Sequence, residues 1–170
     1  MTLTQFADII RSLSGKSSSM TVSEITTAIG GIDFSASHDA YFISRSFTSF
    51  TIPSGVTRIG NGAFADCTSL ASITIPSSVT SIGDYAFANT SFTSFTIPSS
   101  VTSIGRNAFN SCMSLASITI PSSVTSIGLS VFNACYNLTD IYCGFAEGAV
   151  SGAPWGATNA TIHYNSAGPA

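Results

Sequence analysis

Thiols are the first groups to weigh, because cysteine binds metals, attacks electrophiles and pairs with itself. Cys67, Cys112 and Cys135 each stand three residues after a phenylalanine of a recurring pattern, and Thr90 stands in the same slot. A slot that takes cysteine or threonine reads as a small buried site, and Cys-x-x-Cys metal spacing is absent. Cys112 and Cys135 lie on successive copies of the pattern and could approach each other. The opening stretch, Met1 to Ala28, carries Asp8, Arg11 and Lys16 and lacks the apolar core of a secretion signal. That argues against a disulfide. Cys143 replaces an isoleucine of the pattern and is expected in the core.

Acid–base and nucleophilic chemistry is no better served. The two histidines are His38, beside Asp39, and His163, one in each flank. Serine is so abundant that a Ser-His-Asp set is easy to imagine, but the Gly-x-Ser-x-Gly turn that exposes a nucleophile is missing. A glycosidase pair would have to come from eight scattered acids, and Asp66 and Asp84 occupy unrelated repeat positions. Gly15-Lys16-Ser17-Ser18 has the end of a phosphate-binding loop, but Ile10 stands where its first glycine belongs, and a helix precedes it where a strand should. Asn89-Thr-Ser91, Asn137-Leu-Thr139 and Asn159-Ala-Thr161 spell glycosylation sequons, which a chain this rich in hydroxyls contains by chance. No enzyme, cofactor or metal site is expected.

The hydroxyls themselves form the one patterned set. Ser49 and Thr51, Ser72 and Thr74, Ser94 and Thr96, and Ser117 and Thr119 recur at matching positions, and Asp140 and Tyr142 continue them. On adjacent strands they make two columns on one face. Such a ladder is either a solvated surface or a shallow polar platform for a partner or glycan. Apart from Tyr142 it lacks the Tyr, Trp and Arg of binding hot spots, so binding there would be weak per contact and would draw on multivalency. Ice binding, the third reading, calls for more rungs than these. The composition agrees with a polar, uncharged surface: 31 Ser and 20 Thr among 170 residues, against five Lys+Arg and eight Asp+Glu. A net charge of -3 gives no footprint for a nucleic-acid backbone and no polybasic membrane anchor. No run approaches the ~18 apolar residues of a spanning helix.

These columns need elements to hold them. Ile-Pro recurs at Ile52-Pro53, Ile75-Pro76, Ile97-Pro98 and Ile120-Pro121, in steps of 23, 22 and 23 residues. Each unit opens with a period-two stretch in which Phe50 and Ile52, or Ile73 and Ile75, point inward, as in a strand with one buried face. Proline ends it. The second half, such as Val79 through Ile82 to Phe87, predicts a turn and a short helical piece. Gly60, Gly83, Gly105 and Gly128 mark what reads as a tight corner. No unit can bury its apolar side alone, so the units must stack into a solenoid with a parallel sheet, roughly 20 Å long at ~4.8 Å per strand. Phe47/Phe50, Leu70/Ile73, Phe92/Phe95 and Leu115/Ile118 alternate large with smaller, which suggests duplication of a two-repeat unit.

The pattern LxxITIPxSVTxIGxxAFxxC resembles the BspA-like bacterial leucine-rich repeats. The resemblance implies an α/β repeat fold: a right-handed solenoid with a parallel β-sheet and short convex helices, used for surface recognition and adhesion. At the N-terminus, Leu3, Phe6, Ile9, Ile10 and Leu13 predict a helix stopped by Gly15. Thr21-Val-Ser-Glu24 forms a capping box for a second helix bearing Val22, Ile25 and Ile29. This segment resembles a helical module at the start of phage and prophage structural proteins, through Ala7 to Arg11, Gly15-Lys16 and Met20-Thr21. The stretch Gly148 to Asn165 resembles a terminal segment of the same kind of protein. Trp155 is placed to cover the last turn, Thr161 to Tyr164 alternates as a final strand, and Gly168-Pro169-Ala170 reads as a frayed end.

The chain thus divides into a helical cap or attachment segment (1–33), an irregular entry (34–46), the leucine-rich repeats (47–143) and a C-terminal cap and tail (144–170). The terminal resemblances imply a phage or prophage tail- or virion-associated protein, in a virion or in the host cytoplasm during assembly. It would display its repeat face to a protein or cell-surface glycan of a bacterial host, with other virion proteins and further copies of itself as possible partners. The alternatives are a bacterial BspA-like surface adhesion module and a structural virion decoration without host binding. Candidate binding residues are Ser49, Thr51, Ser72, Thr74, Ser94, Thr96, Ser117, Thr119 and Tyr142.

Overall fold

A computed structural model describes residues 48–52 and 54–168. The two predicted N-terminal helices, the irregular entry, Phe47, His38-Asp39 and the Gly15-Lys16 motif lie outside the described residues.

Each of the first four repeats contributes two strands, and the fifth contributes one. The first series is β1 (Ser49–Thr51), β3 (Ser72–Thr74), β5 (Ser94–Thr96), β7 (Ser117–Ile120) and β9 (Asp140–Cys143); the second is β2 (Arg58–Ile59), β4 (Ser81–Ile82), β6 (Ser103–Ile104) and β8 (Ser126–Ile127). A last strand, β10 (Thr161–Tyr164), joins the first series. All pairings are parallel and connect like positions: Phe50 with Ile73, Phe95 with Ile118, Ile59 with Ile82. The large-beside-smaller pairs of the sequence therefore sit in register. The result is a parallel solenoid of about five turns.

The third wall of each turn departs from the expected helical piece. Two residues per turn adopt a left-handed backbone: Gly62 and Asp66, Tyr85 and Asn89, Asn107 and Ser111, Ser130 and Ala134. Such residues interrupt an α-helix. Between them, amides alternate between a three-residue turn bond and a bond to the next coil. Cys67 N–H donates to Phe64 O at 3.2 Å, while Phe64 N–H donates to Ala86 O at 2.8 Å. The wall is a row of turns hydrogen-bonded from coil to coil, and no helix occurs among the described residues.

The recurrent glycines have a different cause from the one expected. None of Gly60, Gly83, Gly105 and Gly128 has a positive φ, so a corner does not demand them. Stacking does: a β-carbon on Gly105 would lie 2.5 Å from Asp84 N, and one on Gly128 2.5 Å from Arg106 N. At Gly83, Gly105 and Gly128 the preceding coil leaves room for hydrogen only.

A phenylalanine spine fills the interior. Phe64, Phe87, Phe109 and Phe132 stack at centroid distances of 5.4, 5.3 and 6.0 Å, and Phe95 meets Phe109 edge-on at 4.8 Å. The spine is buried in every turn. At the far end Phe145 packs edge-on against Trp155, whose indole N–H donates to Ser151 O at 2.9 Å. Trp155 O accepts Phe132 N–H at 3.0 Å, so the tryptophan occupies the place of a further coil.

The first strand series is interrupted once. β1 and β3 form one sheet, and β5, β7, β9 and β10 form another. Ile52 N–H reaches Thr74 O and Ile97 N–H reaches Thr119 O, each at 2.9 Å, but Ile75 makes no such bond among the described residues. The interruption falls where the repeat is one residue short, between Phe87 and Phe92, and it separates the two copies of the two-repeat unit. Ile73 and Ile75, expected inside, are only half-buried there.

Candidate binding face

Alternation in the first strand series puts one set of side chains inward and the hydroxyl columns outward. Ser49, Thr51, Ser72, Thr74, Ser94 and Thr96 are exposed; Ser117, Thr119 and Tyr142 are half-buried. Register aligns Ser49 with Ser72 and Thr51 with Thr74, then Ser94, Ser117 and Asp140 in one column and Thr96, Thr119 and Tyr142 in the other. The nine predicted residues share one face of the series, as two registered blocks either side of the interruption.

Several hydroxyls elsewhere are spent on the fold, although Ser100 Oγ, the repeat equivalent of Ser78 and Ser123, is buried without a partner. Ser78 and Ser123 donate to Val56 O and Val101 O, both at 2.7 Å. Thr80, Thr102 and Thr125 each donate to the threonine carbonyl one coil back, at 3.2 to 3.3 Å. By contrast, the hydroxyls of Ser72, Thr74, Ser94 and Thr96 bond no other described residue. The sequon asparagines belong with the structural group: Asn89 donates to Asp66 Oδ1, Asn137 to Met113 O and Asn159 to Tyr136 O.

The columns end in a polar cluster that sequence reasoning left unassembled. β10 places Thr161 beside Asp140 and His163 beside Tyr142. His163 Nε2 lies 2.8 Å from Asp140 Oδ1, Thr139 donates to Asp140 Oδ2 at 2.7 Å, and the Tyr142 and His163 rings stack at 4.7 Å. The bond from His163, then that from Thr139, holds the Asp140 carboxyl below its ordinary value of 3.8. The alternation Thr161-Ile-His163 was the available signal that both residues extend the columns. The cluster is not a nucleophilic triad. The carboxylate stands between hydroxyl and imidazole, whereas a triad needs the imidazole in the middle.

The cysteines occupy the interior. Cys112 and Cys135 donate to Phe87 O and Phe109 O of the preceding coil, at 3.1 and 3.0 Å. Thr90 fills the same slot by bonding Phe87 O at 2.9 Å. All four thiols are free and buried. The neighbouring Cys112 thiol and burial both push the Cys135 thiol up, and burial pushes Cys143 up to about 11. No cluster of three or more His, Cys, Asp or Glu able to hold a metal occurs among the described residues. Nor is any helix among them long and apolar enough to cross a membrane.

Coils of this length, with a parallel sheet on one wall and an interior column of small and aromatic residues, define a leucine-rich-repeat solenoid. Residues 35–146 match the BspA type leucine rich repeat region, in six copies, and the chain belongs to that family. A leucine-rich-repeat protein of T. pallidum is 30% identical, with a TM-score of 0.57, over 69% of this chain and 56% of that one. A leucine-rich cell surface protein of Faecalibacterium prausnitzii is 30% identical with a TM-score of 0.45, over 57% of this chain and 35% of that one. A leucine-rich-repeat protein of Eubacterium ventriosum is 25% identical with a TM-score of 0.47, over 75% and 36%. The chain thus spans about half the length, or less, of these solved structures. No curated protein matches it.

Proposed function

We propose that this chain is a non-catalytic binding module of the BspA-like surface-recognition kind, presenting its hydroxyl face to a macromolecular partner. The exposed columns carry the reading. Four of their hydroxyls bond no other described residue and stand exposed on the sheet, while Ser78, Ser123, Thr80, Thr102 and Thr125 donate to the preceding coil. Each hydroxyl is both donor and acceptor, so the face matches polar, uncharged ligand groups. Membership of the family supports the same reading, since its repeats serve as binding surfaces more than as catalysts. A virion role, suggested by the two ends of the sequence, gains no support from these matches, and the N-terminal part of that suggestion lies outside the described residues. The test is binding of the labelled chain to intact bacterial and epithelial cells and to matrix proteins. Saturable binding displaced by unlabelled chain is expected; its absence from every such surface would overturn the proposal.

A further inference from the structure

The segment after β10 returns across the candidate face. Asn165 N–H donates to Phe145 O at 3.1 Å and Ser166 N–H to Cys143 O at 2.9 Å, which turns the chain back toward the sheet. Gly168 N–H then reaches Ser166 Oγ at 3.3 Å. Gly168, at φ +80°, sits so close to the columns that a β-carbon there would lie 2.7 Å from Thr119 Oγ1 and 3.5 Å from Tyr142 Cγ. Thr74 and Thr96 are exposed, whereas Thr119 and Tyr142, in the same outward-facing positions, are half-buried.

We propose that the hydroxyl face binds polypeptide, and that the Ser166–Gly168 segment, through Gly168, is its resident occupant on the fourth and fifth coils, which a peptide partner must displace. This deepens the surface-recognition reading and rests on it. Three observations favour a peptide over a glycan. Polypeptide is what the structure seats on the face. Its occupant is made of small residues, Ser166, Ala167 and Gly168, so a backbone can come close to hydroxyls able to answer both N–H and C=O. Tyr142 is already stacked on His163 and approached by Gly168, which leaves a sugar little of the flat apolar surface it would use.

The test compares the full chain with one ending at Asn165, which keeps β10 intact. Amide spectra are recorded with the peptide Asn-Ser-Ala-Gly-Pro-Ala (residues 165–170) and, separately, with chitotetraose. Truncation alone should shift Thr119 and Tyr142. The peptide should then perturb those residues in the truncated chain and bind about tenfold more weakly to the full chain, whose tethered segment competes at millimolar effective concentration. Unshifted Thr119 and Tyr142 on truncation would overturn the resident-occupant claim. Perturbation of the face by chitotetraose and not by the peptide would overturn the peptide claim. In either case, loss of cell binding on Thr74→Lys/Thr96→Lys would show that the face reading itself survives.

Discussion

Gly105 recurs in the repeat because the backbone of the preceding coil lies where its side chain would be. Gly105→Ala should therefore destabilise the chain by about 1–3 kcal/mol, the usual range for forcing a methyl into packed structure. Gly55, with nothing within 4 Å of a built β-carbon, is the control: Gly55→Ala should change stability by less than about 1 kcal/mol. Urea melts of the two variants decide the matter. At the other end of the columns, Asp140 has a depressed folded-state pKa because of His163 and Thr139. A depressed carboxyl stabilises the fold above its unfolded value of 3.8 and loses that contribution as pH falls through the lower folded value. Asp140→Asn should accordingly remove part of the melting-temperature loss seen on acidification below that value, with little change in its slope at neutral pH. The sequence showed that the glycines recur but not why, since turn-forming and close-stacking glycines look alike until coils are laid side by side.

The strand series and the spine set the stability of the coils. Phe109 touches Phe87, Phe95 and Phe132. Phe109→Ala should cost about 3–5 kcal/mol, visible as a large drop in the denaturation midpoint. The interrupted ladder makes a second prediction. Ile75 lacks the amide bond that Ile52 and Ile97 make, so its N–H should exchange at least about tenfold faster than theirs in native-state hydrogen exchange. Equal protection of the three would contradict the interruption. Strand positions, parallel pairing and the in-register columns were legible from period-two alternation and the 22- to 23-residue steps. The third wall was not. Apolar spacing from Val79 to Phe87 suits a short helix as well as a chain of turns. Half of the left-handed positions that choose turns hold residues with no preference for that backbone, Tyr85, Ser111, Ser130 and Ala134, so the set carries no consistent sequence signature. The missing residue between Phe87 and Phe92 was visible, but its effect on the ladder depends on how the shortened connection delivers β5.

At the scale of the described solenoid, repetition converts short, weakly informative units into one continuous face. Neighbouring coils share carbonyls, rings and hydroxyl caps, so each coil is stable only against the next. The same repetition multiplies a modest pair of hydroxyls into columns, and on the proposed reading modest contacts summed along them would supply affinity. With a net charge of -3 across 170 residues, long-range steering plays a small part, and the face must be judged by contact. The family and the solenoid were legible in the motif; the His163–Asp140–Tyr142 cluster was not assembled, because β10 departs from the repeat spacing that identified the other strands.

The decisive measurement is equilibrium binding of three chains to the surface that the unmodified chain recognises: the unmodified chain, Thr74→Lys/Thr96→Lys on the columns, and Asn133→Lys on the exposed turn wall. Two lysines set into the uncovered columns should lower affinity at least about tenfold, as expected when unpaired charge is placed within an interface. Asn133→Lys should bind as the unmodified chain does, with all three melting alike. Undiminished binding by the double variant would contradict the assignment of the hydroxyl face as the binding surface.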